Sequence, residues 1–218
     1  MDWIFAILAA ILGFAAGGVL CRTRSLRRLH AMQAEHLRVL DTALAEARTD
    51  SLTEIWNRKA FDENLQIQLA IARRYRTPLT LILIDVDGLK QINDRQGHIA
   101  GDAALRALAL LLRQCAREAD FVARYGGDEF AILMSQTACP NAAILANRVL
   151  TALEATATRP ANTASILRIS AGAAAFHSED SPAMLIERAD RALYEAKKAG
   201  GACVRLAVSN TDTEPSSH

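Results

Sequence analysis

Paired cysteines, a zinc-ligand cluster and an excess of basic charge are all missing from this sequence, and each absence closes a class of function. Its four cysteines, Cys21, Cys115, Cys139 and Cys203, form no CxxC pair and have no histidine at metal-ligand spacing. That excludes zinc ribbons and disulfide scaffolds and favours reduced thiols in a cytosolic setting. Lys and Arg number 25 against 24 Asp and Glu, so the net charge is only +1 and lacks the basic footprint of a nucleic-acid binder. Glycine and proline are few, at 11 and 5, and no internal repeat is present, which argues against disorder and repeat architectures. What is there is a chain of 218 residues, 51% apolar, enough for one ordinary domain with some tens of residues to spare.

Charge is absent again from Trp3 to Leu20, "WIFAILAAILGFAAGGVL". At about 1.5 Å per residue this run would span roughly 27 Å, close to the hydrocarbon thickness of about 30 Å. Arg22, Arg24, Arg27 and Arg28 follow at once, while only Asp2 precedes it. Residues 1–24 are therefore expected to form a single-pass anchor in a bacterial inner membrane, with the C-terminal domain in the cytoplasm. A cleaved signal peptide is the rival; the lack of Lys or Arg before the run and the basic cluster after it weigh against that. Residues 25–49 carry Leu26, His30, Gln33, Leu37, Leu40, Leu44 and Ala47 at alternating spacings of four and three, the heptad of a short coiled coil. His30 and Gln33 interrupt the seam, which leaves a lone amphipathic helix as the alternative.

From Asp50 helical and strand patterns alternate. "NRKAFDENLQIQLAIARRYR" is helical with Asn57 as N-cap, and "PLTLILIDVD" is a strand apolar on both faces, hence central. "GDAALRALALLLRQCA" is a helix with Asp102 near its start, and "DFVARYGGDEFAILM" is a hairpin in which Gly126 and Gly127 supply the positive φ angles of a tight turn. A further helix, the strand "ILRISAGAAAF", a helix capped by Ser181 and Pro182, and the edge strand "GACVRLAV" complete residues 50–208. Residues 209–218 read as a disordered tail. The fold class expected is α+β, with helices packed on a largely antiparallel sheet.

Alternation along the central strand puts Leu81, Leu83, Asp85 and Asp87 on one face and Ile82, Ile84 and Val86 on the other. An acid at the end of a buried strand needs a partner. Beside the hairpin, Asp85 would lie about 4.8 Å from the turn residues. Asp85, Asp128 and Glu129 then form a candidate site for hard divalent ions, suited to phosphoryl or nucleotidyl transfer. Gly88 would admit a phosphate to backbone N–H groups, with Lys90 adding a charge. Each element alone has a bland reading: a strand end, a solvated lysine, a turn residue at Asn93, a helix-edge donor at His98.

Together these stretches resemble the diguanylate cyclase domain named for its Gly-Gly-Asp-Glu-Phe signature, which stands here unbroken from Gly126 to Phe130. "DSLTEIWNR", "LIDVDGLKQIND", "GHIAGD", "RYGGDEF", "ISAGAA" and "ADRALYEAKKAG" carry the resemblance from about Asp50 to Val208. It implies a five-stranded, mostly antiparallel sheet surrounded by helices. It implies metal ligation by Asp85, the Val86 carbonyl, Asp128 and Glu129, with Mg²⁺ as the ion and Mn²⁺ as a substitute. Asn93 and Asp102 match residues that hydrogen-bond guanine, with His98 in the same motif. Lys90 and Lys197 match triphosphate contacts, and Gly88 and Leu89 backbone contacts; Gly126 and Gly127 keep side chains off the nucleotide. The implied reaction joins two GTP into cyclic dimeric GMP at a homodimer interface, with Asp128 in the place usually given to the general base. Arg117 and Asp120, with five residues between Asp120 and Gly126, resemble the family's product-inhibition motif, with Arg148 as a second clamping arginine.

Two departures stand out. Leu89 replaces the usual Phe, and Gly201 and Ala202 stand where an Arg and an Asn commonly follow the glycine. That Arg contacts phosphate in relatives, so Lys198 or Arg205 is expected to substitute, or affinity for GTP to fall. The alternative function is a weak or inactive module that binds GTP or cyclic dimeric GMP and signals through protein contacts. Adenine nucleotides are disfavoured by Asn93 and Asp102.

Overall fold

The computed structural model describes residues 48–157 and 167–207. The expected anchor and the tail lie outside these residues, and of the coiled-coil segment only Arg48 and Thr49 are described, Thr49 bridging to Trp56. Among the described residues no helix is long and apolar enough to cross a membrane.

Helix α1, Arg58–Tyr75, starts where Asn57 accepts a hydrogen bond from the Ala60 N–H, and it buries Phe61, Leu65, Leu69 and Ala72 along one face. Strand β1, Leu79–Asp87, is buried along its first eight residues, as its two apolar faces require. Two helices follow: α2, Leu89–Gln96, and α3, His98–Cys115. Strands β2, Phe121–Arg124, and β3, Glu129–Ser135, form the hairpin. Helix α4, Cys139–Ala157, strand β4, Arg168–Ala175, helix α5, Pro182–Lys198, and the short strand β5, Val204–Leu206, complete the order.

The sheet runs β2-β3-β1-β4-β5, antiparallel except for the parallel pair β4–β5. It divides two apolar layers. Ile82, Ile84 and Val86 of β1 pack with α2, α3 and α4, while Leu79, Leu81 and Leu83 pack with α1 and α5. The expected α+β architecture is therefore present.

Close packing of α5 positions the functional end of the sheet. Ser181 caps the helix by accepting from the Met184 N–H, and Pro182 begins it. A Cβ on Gly172 of β4 would lie 2.1 Å from the Leu193 nitrogen and 2.3 Å from the Ala189 carbonyl oxygen, so only glycine lets the backbones approach this closely. The β4–α5 loop is clamped by Arg188, whose guanidinium donates to both Asp180 carboxylate oxygens at 2.6 Å and to the Ala175 carbonyl.

Three details differ from expectation. The third helix begins at His98, so "GHIAGD" is its first turn and Asp102 lies inside it. "LKQINDRQ" is a helix of its own, started by Gly88. Gly126 and Gly127 are not among the residues with positive φ. The turn is a four-residue connection that needs no left-handed backbone, and Gly126 serves close approach instead: a Cβ there would sit 2.4 Å from Glu129 Oε2.

Candidate active site

The β1 register places Asp85 directly opposite Glu129 of β3 on one side and Ser170 of β4 on the other. Directly opposed residues put their side chains on the same face, with Cα atoms about 4.5–5.5 Å apart. The Val86 N–H donates to the Asp128 carbonyl at 3.1 Å, which seats the turn against the end of β1. Tyr125 and Gly126 both donate their N–H to the Glu129 carbonyl, at 2.8 and 3.1 Å. Arg124 holds the turn from outside. Its Nη2 and Nε donate to the Gly127 carbonyl at 2.7 and 3.3 Å, and its Nη1 reaches both Asp50 oxygens at 3.0 and 3.1 Å. Burial pushes the Asp50 carboxyl up, but hydrogen bonds from Thr53 and Arg124 outweigh it and hold the group below the usual carboxylate range.

Asp85 is buried, at 7% exposure, and Lys197 of α5 answers its charge with Nζ 2.7 Å from Oδ2. Burial pushes the Asp85 carboxyl up; Lys197 pulls it down, and Asp128 and Asp87 add to the rise. Glu129 is pushed up by burial and then by Asp85 and Asp128, with Lys197 opposing. Its carboxylate makes no hydrogen bond or ion pair among the described residues. Among those residues no three Asp, Glu, His or Cys side chains stand close enough to hold a metal ion as they are. The donors nonetheless suit a hard divalent cation: crowded carboxylate oxygens whose charge is met, among the described residues, by the Lys197 ammonium, itself a cation standing on Asp85.

Beside the carboxylates lies a cavity of about 410 Å³ lined by Asp85, Asp87, Gly88, Arg168, Lys197 and Gly201. Gly88, at φ 75°, starts α2 with no side chain capping it, so the first N–H groups of that helix are open to an anion. Lys90 is exposed in the same turn and lines neither this cavity nor the one beside it at Arg95; Leu89 is half-buried. The α2–α3 hairpin brings Asn93 against Gly101, next to Asp102. Asn93 Oδ1 is buried there without a hydrogen-bond partner, an acceptor left for an outside N–H donor. His98 is exposed at the first position of α3.

On the other side of the hairpin, Asp120 accepts from the Arg117 backbone N–H at 2.8 Å, and both residues line a separate cavity of about 390 Å³ with Trp56 and Arg113. Arg148 donates to the Cys115 carbonyl at the end of α3, two residues before Arg117, and does not line that cavity.

Sequence reasoning left three residues without a role. Asp87 accepts from Ser170 Oγ at 2.8 and 3.0 Å and from the Ala202 N–H at 2.9 Å, so it shapes the α5–β5 loop. Its place on the Asp85 face was the available signal. Arg124 braces the turn, as a charge at a strand end could have suggested. Arg168 reaches the cavity only through the β1–β4 register, which no local pattern announces.

A family model described as "Diguanylate cyclase, GGDEF domain" matches residues 47–203. Diguanylate cyclase DgcP of Pseudomonas aeruginosa is 38% identical over 161 residues, covering 74% of this chain and 24% of that protein. Diguanylate cyclase DosC of Escherichia coli is 38% identical over 162 residues, covering 74% of this chain and 35% of that one. The chain thus spans about a quarter to a third of the length of these curated relatives. The crystal structure of the coiled coil and GGDEF domain of DgcB from Caulobacter crescentus, in complex with c-di-GMP, is similar with a TM-score of 0.76 at 32% identity, over 83% of this chain and 97% of that one.

Proposed function

The chain belongs to the diguanylate cyclase GGDEF-domain family, and from that premise we propose that it condenses two GTP into cyclic dimeric GMP with release of two pyrophosphates. The observation that carries this is the pairing of Asp85 with Glu129 across β1 and β3, with Asp128 beside them and Lys197 and the uncapped α2 on the flank. Asp85, the Val86 carbonyl, Asp128 and Glu129 would hold a divalent cation, Mg²⁺ or Mn²⁺. Such an ion, when bound, lowers the pKa of a hydroxyl and neutralises charge developing on phosphate.

The chain's own groups do the rest. Backbone N–H groups at Gly88 and Leu89, with Lys90 and Lys197, hold phosphate oxygens in this reading. Asp102 accepts from the guanine N–H donors, and the amide of Asn93, its Oδ1 otherwise orphaned, completes the contact, with His98 nearby. The 3′-hydroxyl of one nucleotide attacks the α-phosphate of the other in line, and Asp128 is the carboxylate offered its proton. One site binds one GTP, so two chains face each other and the reciprocal step closes the ring.

A coiled coil over residues 25–49 would bring the two domains together, and Trp3–Leu20 with the arginines after it supports an inner-membrane anchor with the domain in the cytoplasm. Arg117, Asp120 and Arg148 form the proposed inhibitory site; the c-di-GMP complex of the similar DgcB structure supports a product-binding surface. The glycine at 201 favours a second reading, a nucleotide-binding module that signals without catalysis.

Incubation of the full chain with GTP and Mg²⁺, followed by chromatography, separates the two. Cyclic dimeric GMP is expected from the parent, with a loss of roughly 10²-fold or more in Asp128→Ala, the scale of lost transition-state charge stabilisation. A parent that binds GTP yet yields no product would leave only the module.

A further inference from the structure

We propose that Arg168 binds the polyphosphate of the nucleotide, supplying the guanidinium that position 201 lacks; the inference rests on the nucleotide reading of this site. Arg168 is directly opposite Asp87 in the β1–β4 register, so it shares the face that carries Asp85 and Asp87. Ser170, the next residue of β4 on that face, confirms the direction by donating Oγ to the Asp87 carboxylate. Asp87 itself is occupied by Ser170 and by the Ala202 N–H. Arg168 makes no hydrogen bond or ion pair among the described residues.

Its position is what distinguishes it from an ordinary surface arginine. It lines the cavity of about 410 Å³ together with Lys197 and Gly201, and also the adjoining one of about 230 Å³ together with Gly88 and Arg95. Arg168 therefore stands where the carboxylate cavity meets the uncapped start of α2. An anion resting on those N–H groups comes within reach of a planar fork suited to phosphate oxygens.

The other candidate cations are placed elsewhere. Lys198 pairs with Glu195 at 3.6 Å and sits over the Tyr194 ring at 4.6 Å. Arg205 lines a groove with Met184, Arg191 and Leu206. Neither lines the carboxylate cavity, whereas Arg168 does. Position 201 is itself ill suited to a side chain: its φ is 73°, and a Cβ would lie 3.0 Å from Asp87 Oδ2.

The test is equilibrium binding of GTP and of guanosine, each with Mg²⁺, to the full chain and to Arg168→Gln and Arg168→Lys. Arg168→Gln is expected to weaken GTP about 10- to 100-fold, the size of a lost charge-assisted contact, and to leave guanosine unchanged. Arg168→Lys should fall between, because it keeps the charge and loses the fork. Unchanged guanosine binding also shows that the variants are folded. Arg168→Gln binding GTP as the parent does would overturn the proposal while the nucleotide site stands. A parent that binds neither ligand would instead bring down the nucleotide reading, and this inference with it.

Discussion

Glu129 is costly to the free protein at the same place where the proposed reading gives it a use. Half-buried, without a hydrogen bond among the described residues, it is pushed up by burial and by the nearby Asp85 and Asp128 charges. A negative charge held there destabilises the metal-free fold, and partial exposure keeps the cost small, about 1 kcal/mol or less. Glu129→Gln should therefore melt up to about 4 °C above the parent without divalent ions and lack the Mg²⁺-dependent rise expected of the parent. Thermal melts with and without Mg²⁺ check both halves. Gly126 belongs to the same account, since its missing side chain leaves the space that the Glu129 carboxylate fills.

Among the elements, α5 carries the most consequence, because it delivers Lys197 to Asp85. Gly172 sets its distance from the sheet and the Asp180–Arg188 clamp sets its start. Asp180 is only 3% exposed. Burial pushes its carboxyl up, but Arg188 and the His177 backbone N–H outweigh that and hold it below the usual range. The unfolded chain then takes up the proton first, at about pH 4. The clamp's stabilisation is present above that pH and is lost as pH falls through it toward the lower folded value. Asp180→Asn should cost about 3 kcal/mol at neutral pH. It should also flatten the acid loss of stability, which urea midpoints measured from neutral pH to about pH 3 would read.

For the molecule as a whole, the proposed reaction needs two nucleotides, while the described domain carries one carboxylate site. Mixing the parent with an excess of Asp128→Ala chains should depress the parent's rate beyond dilution, because mixed pairs lack one competent half. A rate proportional to parent alone would show that one chain suffices. The Arg124 bridge gives the same scale a physical link, running from Asp50, just after the N-terminal segment, to the Gly127 carbonyl of the turn.

Much of this was legible in local pattern. The two apolar faces of β1 and the caps at Asn57 and Ser181 follow from periods of two and 3.6 and from short-range hydrogen bonding. The start of α3 at His98 and the separate α2 were not, since glycines at 88 and 97 read equally well as loop. The backbone of Gly126 and Gly127 was misread because a four-residue connection needs no positive φ, and Gly126 instead leaves room for the Glu129 carboxylate, which a turn motif does not record. Sequence alone determined which residues are acidic, apolar or capping, and at what period, because those properties act over a few residues. Only the tertiary structure decided that Arg168 lies opposite Asp87, that Asp87 serves a loop, and that Lys198 and Arg205 line no part of the carboxylate cavity. Strand register and helix packing join positions far apart in the chain, and free energy summed over the whole core selects them.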